Sequence, residues 1–209
     1  MDPTAQTDPF PASDFDQWAA QYDHDVTQPG FPFLGYSEVL AKTFQLAEAK
    51  PGMKVLDLGT GTGGLAQFFL SAGCEMWCSD FSSQMLDLAR LKLPAAHLFL
   101  HDLRQPFPSG LPRFDRIVSA YVFHHFELPE KLTLLQRLWS TMLAPHGRLV
   151  IADISFPTRQ ALGDFRLAAG AQWEDEPYWI ANEALPALQV ISDRADYLQV
   201  SDCAGIYTI

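Results

Sequence analysis

The segment Val55-Leu56-Asp57-Leu58-Gly59-Thr60-Gly61-Thr62-Gly63-Gly64 runs from an apolar stretch into alternating glycines, and an acid, Asp80, closes the next apolar stretch. Glycine has no Cβ, so the chain can turn sharply there and a ligand can lie against bare backbone. A carboxylate about twenty residues beyond such a loop is where α/β folds hold a ribose. Its two ionised oxygens can each accept from a sugar hydroxyl. Loop and acid together imply a nucleoside-bearing cofactor. A second acid, Asp102, follows a third apolar run and suits acceptance from an exocyclic amine, a turn-forming acid being the plainer reading. His124 and His125 follow a fourth run. Histidine titrates near neutral pH, so either is a candidate general base.

These residues need a scaffold that gathers strand ends. The sequence alternates apolar runs with helical periodicity, the rhythm of an α/β fold. Strands are predicted over 54–58, 75–79, 97–101, 115–120 and 148–153, with helices over 63–72, 83–92 and 130–143 between them. Near-continuous apolar character in the first, fourth and fifth strands marks them as central and parallel. Past residue 155 the rhythm changes: helices are predicted over 158–171 and 180–188, then strands over 197–200 and 206–209. The five residues between the last two leave no room for a crossover, so those strands must be antiparallel. Ahead of the loop, residues 1–13 read as a flexible lead-in. Residues 14–50 read as a helical cap, with helices over 14–25 (Ser13 or Asp14 as N-cap) and 36–49. Residues 51–209 read as the main domain.

Composition narrows the ligands. With 14 basic and 25 acidic residues the net charge is −11, which argues against nucleic acid as a partner. Apolar runs are too short for a membrane span, and the N-terminus lacks signal-peptide features, so a cytoplasmic protein is expected. Cys74, Cys78 and Cys203 lack metal-site spacing and read as core residues, the first two on one strand face. From Trp173 onward the chain carries Glu174, Asp175, Glu176, Glu183, Asp193, Asp196 and Asp202 against Arg194 alone. This is either a solvated acidic face or part of a site for neutral or cationic small molecules.

The pattern resembles the class I S-adenosylmethionine-dependent methyltransferases. Asp57-x-Gly59-x-Gly61-x-Gly63 departs from the G-x-G-x-x-G of dinucleotide enzymes, and Ser79-Asp80-Phe81-Ser82, His101-Asp102-Leu103, Phe114-Asp115-Arg116-Ile117-Val118-Ser119 and Leu143-Ala144-Pro145-His146-Gly147 resemble that family's later motifs. Phe15-Asp16-x-Trp18-Ala19-x-x-Tyr22-Asp23 is similar to a lead helix that folds over the cofactor. The resemblance implies a Rossmann-like, seven-stranded, mostly parallel sheet with an antiparallel C-terminal strand and helices on both faces. It implies S-adenosylmethionine as cofactor, S-adenosylhomocysteine as product, and Gly59, Thr60, Gly61, Asp80, Phe81, Asp102, Leu103, Ser119 and Tyr22 as its contacts. Phe81 and Leu103 would cover the adenine. No metal is implied. Ser119-Ala120-Tyr121-Val122 replaces the Asn/Asp-Pro-Pro-Tyr of members that methylate nucleobase or amide nitrogens, so the expected acceptor is a small molecule. Two other readings stand beside this one: a nicotinamide-dependent oxidoreductase, and a cofactor-binding protein without transferase activity.

Overall fold

Val55, Leu56 and Leu58 are fully buried in β1 (Lys54–Leu58), because a parallel strand covered on both faces needs apolar side chains on each. The computed structural model describes residues 10–209. Its strands continue as β2 (Glu75–Asp80), β3 (His97–Leu100), β4 (Phe114–Ala120), β5 (Leu143–Phe156), β6 (Trp179–Ile180), β7 (Asp196–Gln199) and β8 (Ala204–Thr208). The sheet order is β3-β2-β1-β4-β5-β8-β7, with β6 pairing beside β5. Pairing is parallel from β3 across to β5, and antiparallel for β5 with β8 and for β8 with β7. The seven expected strands form the continuous path. The two-residue β6 is an addition, running parallel to Ser155 and Phe156.

The helices are α1 (Ala12–Asp25), α2 (Tyr36–Ala47), α3 (Ala66–Ser71), α4 (Ser83–Lys92), α5 (Leu128–Arg137), α6 (Arg159–Ala169) and α7 (Ala181–Ile191). Alternate residues along each strand feed opposite faces of the sheet. Val55, Met76, Val118 and Val150 pack with Val39 and Leu40 of α2 and Phe69 of α3. Leu56, Leu58, Ile117 and Leu149 pack with Leu135 of α5 and Leu188 of α7. The three cysteines are free and buried, as core residues should be. Among the described residues no helix is long and apolar enough to cross a membrane.

Local rules account for most boundaries. Ser82 caps α4 by accepting from the Met85 amide at 3.1 Å. Glu127 and Glu130 cap α5 reciprocally, with proline in its first turn. Several boundaries differ from expectation: α3 opens at Ala66 rather than at residue 63, and β5 opens at Leu143, through the expected turn before residue 148. Helix α1 opens at Ala12 after extended Pro11, and the expected caps Ser13 and Asp14 lie inside it. The expected lead-in therefore ends earlier, and residues 1–9 of it lie outside the described residues. Helix α5 ends at Arg137 and widens into a π turn over Leu138–Met142, with Leu134, Leu135, Leu138 and Met142 buried. Strand β5 extends past Asp153 to Phe156 because β8 on one side and β6 beyond it satisfy its backbone.

Candidate functional site

The C-terminal ends of β1, β2 and β4 open onto a cavity of about 590 Å³. The glycine loop forms its floor. Gly59 stands at φ +64°, and a Cβ there would fall 2.3 Å from Val122 Cγ2, so no other residue fits without displacing that side chain. At Gly61 (φ +53°) a Cβ would occupy the space 3.7 Å from the Tyr22 ring. The Gly61 amide donates to Asp80 Oδ2 at 2.8 Å, and the Ser82 amide donates to Asp80 Oδ1 at 2.9 Å. These bonds fix the carboxylate at the cavity wall. Burial raises the Asp80 carboxyl to about 6 against the lowering effect of those amides, and burial also lifts neighbouring Asp57 to about 7. Asp57 Oδ2 accepts from Thr60 Oγ1 at 2.7 Å, while its Oδ1 is buried without a partner.

Helix α1 closes this end. Asp16 accepts from Ser82 Oγ at 2.6 Å and from the Gln84 amide at 3.1 Å. Asp23 accepts from Thr62 Oγ1 at 2.5 Å and pairs with Lys92. Four polar contacts thus tie the helix to the loop and to both ends of α4. They place Tyr22 over Gly61, with Trp18 edge-on to it at 4.8 Å. Phe15 packs 4.9 Å from Phe81.

At the far end, a short 3-10 turn over Phe123–His125 carries both histidines into the cavity wall. His124 Nδ1 lies 2.5 Å from Asp153 Oδ1. Asp153 is fully buried and also accepts from the Ile154 amide at 2.8 Å and from Trp179 Nε1 at 3.0 Å. The His124 Nε2 atom faces Glu176 Oε2 at 3.6 Å, and His125 Nδ1 stands 4.0 Å from Glu176 Oε1. Burial disfavours a charged His124 ring, but the carboxylates of Asp153 and Glu176 outweigh it and raise its pKa. Burial, helped by the neighbouring charges of His124 and Lys131, pushes His125 down to about 2.

The structure brings Gly59, Gly61, Asp80, Phe81, Asp102, Leu103, Tyr22, His124 and His125 to one cavity. Two expected contacts stand behind its wall. The Thr60 hydroxyl is spent on Asp57, and the fully buried Ser119 hydroxyl donates to the Leu58 carbonyl at 2.8 Å, knitting β4 to β1. Asp102 lines the rim, yet Arg104 Nε bonds both of its oxygens at 3.0 Å and the Arg104 amide bonds Oδ1 at 2.9 Å. The plainer turn-forming role is therefore filled as well. Sequence reasoning did not single out three residues, and it left a fourth, Glu176, in a tract read as either a solvated face or part of a site. Asp153 carried a signal, an acid inside an apolar strand. Glu176 was hidden in an acidic tract, and only the path of the chain between α6 and β6 turns it inward. Trp179 had no signal. Tyr121 lines the cavity at φ +59°, an uncommon backbone state for a non-glycine residue, with a buried hydroxyl lacking a partner.

The bare glycine floor, the fixed carboxylate and the orphaned Tyr121 hydroxyl fit a nucleoside cofactor with an amino-acid tail. The sheet offers no second mononucleotide-binding half among the described residues: β5 passes to antiparallel β8 instead. That removes the dinucleotide reading. Residues 55–147 match the model of a methyltransferase domain. A protein of Bacillus licheniformis described as an uncharacterized methyltransferase is 34% identical over 150 residues, covering 70% of this chain and 68% of that one. In fold, the chain is similar to magnesium protoporphyrin IX methyltransferase from Synechocystis with bound S-adenosylhomocysteine (TM-score 0.71, 16% identity, 95% and 98% of the two chains). It is also similar to DhpI in complex with S-adenosylhomocysteine (TM-score 0.69, 18% identity, 94% and 93%). The chain belongs to the class I S-adenosylmethionine-dependent methyltransferases.

Proposed function

We propose that this methyltransferase acts on a small neutral or cationic acceptor, which meets the protein beside His124, His125 and Glu176. One observation carries the reading. Among the residues lining the cavity, six carboxylates (Asp14, Asp80, Asp102, Glu130, Glu174 and Glu176) face a single guanidinium, Arg104, which is already engaged by Asp102. An anionic acceptor would be repelled from that wall, and with a net charge of −11 so would nucleic acid.

The cofactor supplies an electrophilic methyl group on a sulfonium. The protein's own contribution is binding and orientation, which can account for much of the barrier to an in-line transfer. Gly59 and Gly61 leave room for the amino-acid tail, Asp80 accepts from the ribose hydroxyls, and Asp102 receives the adenine amine between Phe81 and Leu103. Tyr22 and Trp18 on α1 exclude water from the reacting end, residues 14–50 acting as a cap. His124 and His125 adjoin the acceptor. Tritiated methyl transfer from S-adenosylmethionine to a panel of amines, phenols, thiols and carboxylates tests the acceptor class. Labelling confined to carboxylates or to RNA would refute it.

A further inference from the structure

The geometry points to a divalent transition-metal site formed by His124, His125 and Glu176. One ligand atom from each lies within 4.8 Å of the other two. The separations of 3.6 Å (His124 Nε2 to Glu176 Oε2) and 4.0 Å (His125 Nδ1 to Glu176 Oε1) are too long for hydrogen bonds. They approach the roughly 3.4 Å edge of a tetrahedron whose ligands sit about 2.1 Å from a central ion. His125 Nδ1 is buried with no hydrogen-bond partner, so its lone pair is uncommitted in the neutral ring. Lys131 does not fill the gap, because its ammonium donates to the Pro177 carbonyl and lies 4.7 Å over the Trp179 ring.

A second layer supports these ligands. A metal-bound histidine normally gives its other ring nitrogen to a carboxylate, which fixes ring orientation and tautomer. His124 does this with Asp153, itself held by Trp179 Nε1 and the Ile154 amide. A purely structural ion pair would not need His125 left unpaired or Glu176 turned inward from an acidic tract. Two imidazoles and one carboxylate suit zinc, iron(II), cobalt or nickel better than magnesium or calcium. Three protein ligands leave a coordination position open to the cavity, the hallmark of a catalytic rather than a structural site.

This inference rests on the acceptor reading above and sharpens it: the acceptor carries a hydroxyl or thiol that binds the ion. Coordination lowers the pKa of such a group, so its proton leaves to solvent near neutral pH without a protein base. The freed lone pair forms the new bond to the methyl carbon. The carbon–sulfur bond breaks with its electrons remaining on sulfur, and charge balances.

The test uses the full chain after chelator treatment, titrated with Zn²⁺ by calorimetry and with Co²⁺ by visible absorption. One equivalent of each should bind, with cobalt d–d bands reporting nitrogen and oxygen ligation. His125→Ala and Glu176→Gln should each weaken Zn²⁺ by on the order of 100-fold, and Asp153→Asn by roughly 10-fold or more. S-adenosylhomocysteine calorimetry on every variant reports folding and cofactor binding separately. Loss of cofactor binding in the wild type would sink the methyltransfer site and leave the metal result standing. Absence of a saturable cobalt spectrum, or equal Zn²⁺ affinity in wild type and both ligand variants, overturns the metal site. So does full transferase activity after chelation combined with its loss in His124→Ala, since His124 would then be acting as a base.

Discussion

The two ends of the cavity are built in opposite ways. The cofactor end is a local construction: residues 57–63 and 80–82 are short stretches following adjacent parallel strands, and much of what they present is main chain. The far end, where we propose that the acceptor binds, is assembled from side chains on three distant stretches, with His124 and His125 on a turn after β4, Asp153 within β5, and Glu176 just before β6. Backbone geometry is set by glycine and by strand register, so the first end tolerates little change in sequence. Side-chain ligands can be exchanged on an unchanged scaffold, so the second end is where acceptor choice can vary.

Removing the acid at the cofactor end should have the largest effect. Asp80→Ala deletes the acceptor of two backbone amides and, on our reading, of two ribose hydroxyls. At about 1.5 kcal/mol per charge-assisted bond to ligand, S-adenosylhomocysteine should bind roughly 100-fold more weakly by calorimetry. Since the Asp80 carboxyl is raised to about 6, wild-type affinity should also fall as pH drops below that value. Unchanged affinity in the variant would remove Asp80 from the site. Gly59→Ala comes next, at about 1–3 kcal/mol from positive φ and collision with Val122. The double change Gly59→Ala with Val122→Ala should recover part of that loss in a denaturant melt. No recovery would mean that backbone strain alone sets the cost.

A smaller effect tests electrostatics. Asp57 and Asp80 have folded pKa values of about 7 and about 6 against a reference of 3.8, so the folded state binds more protons than the unfolded state within that window. Stability of the ligand-free protein should therefore fall as pH rises from 4 toward 7. Asp57→Asn keeps an acceptor for Thr60 and removes the buried charge. Its Tm should exceed wild type at pH 8 by about 3 °C and match it near pH 4, the range expected for ~1 kcal/mol in a chain of this size. A gain that persists at pH 4 would refute the charge argument. The smallest effect belongs to the clasp. Asp23→Ala breaks a half-exposed pair with Lys92 and one bond to Thr62, and exposed pairs contribute below about 1 kcal/mol. Cofactor affinity should drop less than fivefold; a larger loss would make α1 part of the binding surface rather than a lid.

The chain's own order of residues determined the glycine-loop end of the cavity, where we propose that the cofactor binds. Glycines at 59, 61 and 63 after an apolar strand, and acids closing the next two, are contiguous signals with a local physical cause, and the parallel-strand rhythm followed from period and length alone. What it left open were the edges and the far wall. Serine at 119 and threonine at 60 resemble ligand-facing residues, yet pairing of β4 with β1 and the reach of Asp57 turn both inward. Glutamate at 176 resembles any surface acid in an acidic tract. It becomes part of a site because the chain between α6 and β6 passes beside the histidine turn, and β5 runs far enough to bring Asp153 behind it. Hydrophobic periodicity encodes which face of an element is buried, and it carries no record of which distant elements meet. The histidine end of the cavity consists of such meetings, so only the folded chain decided it.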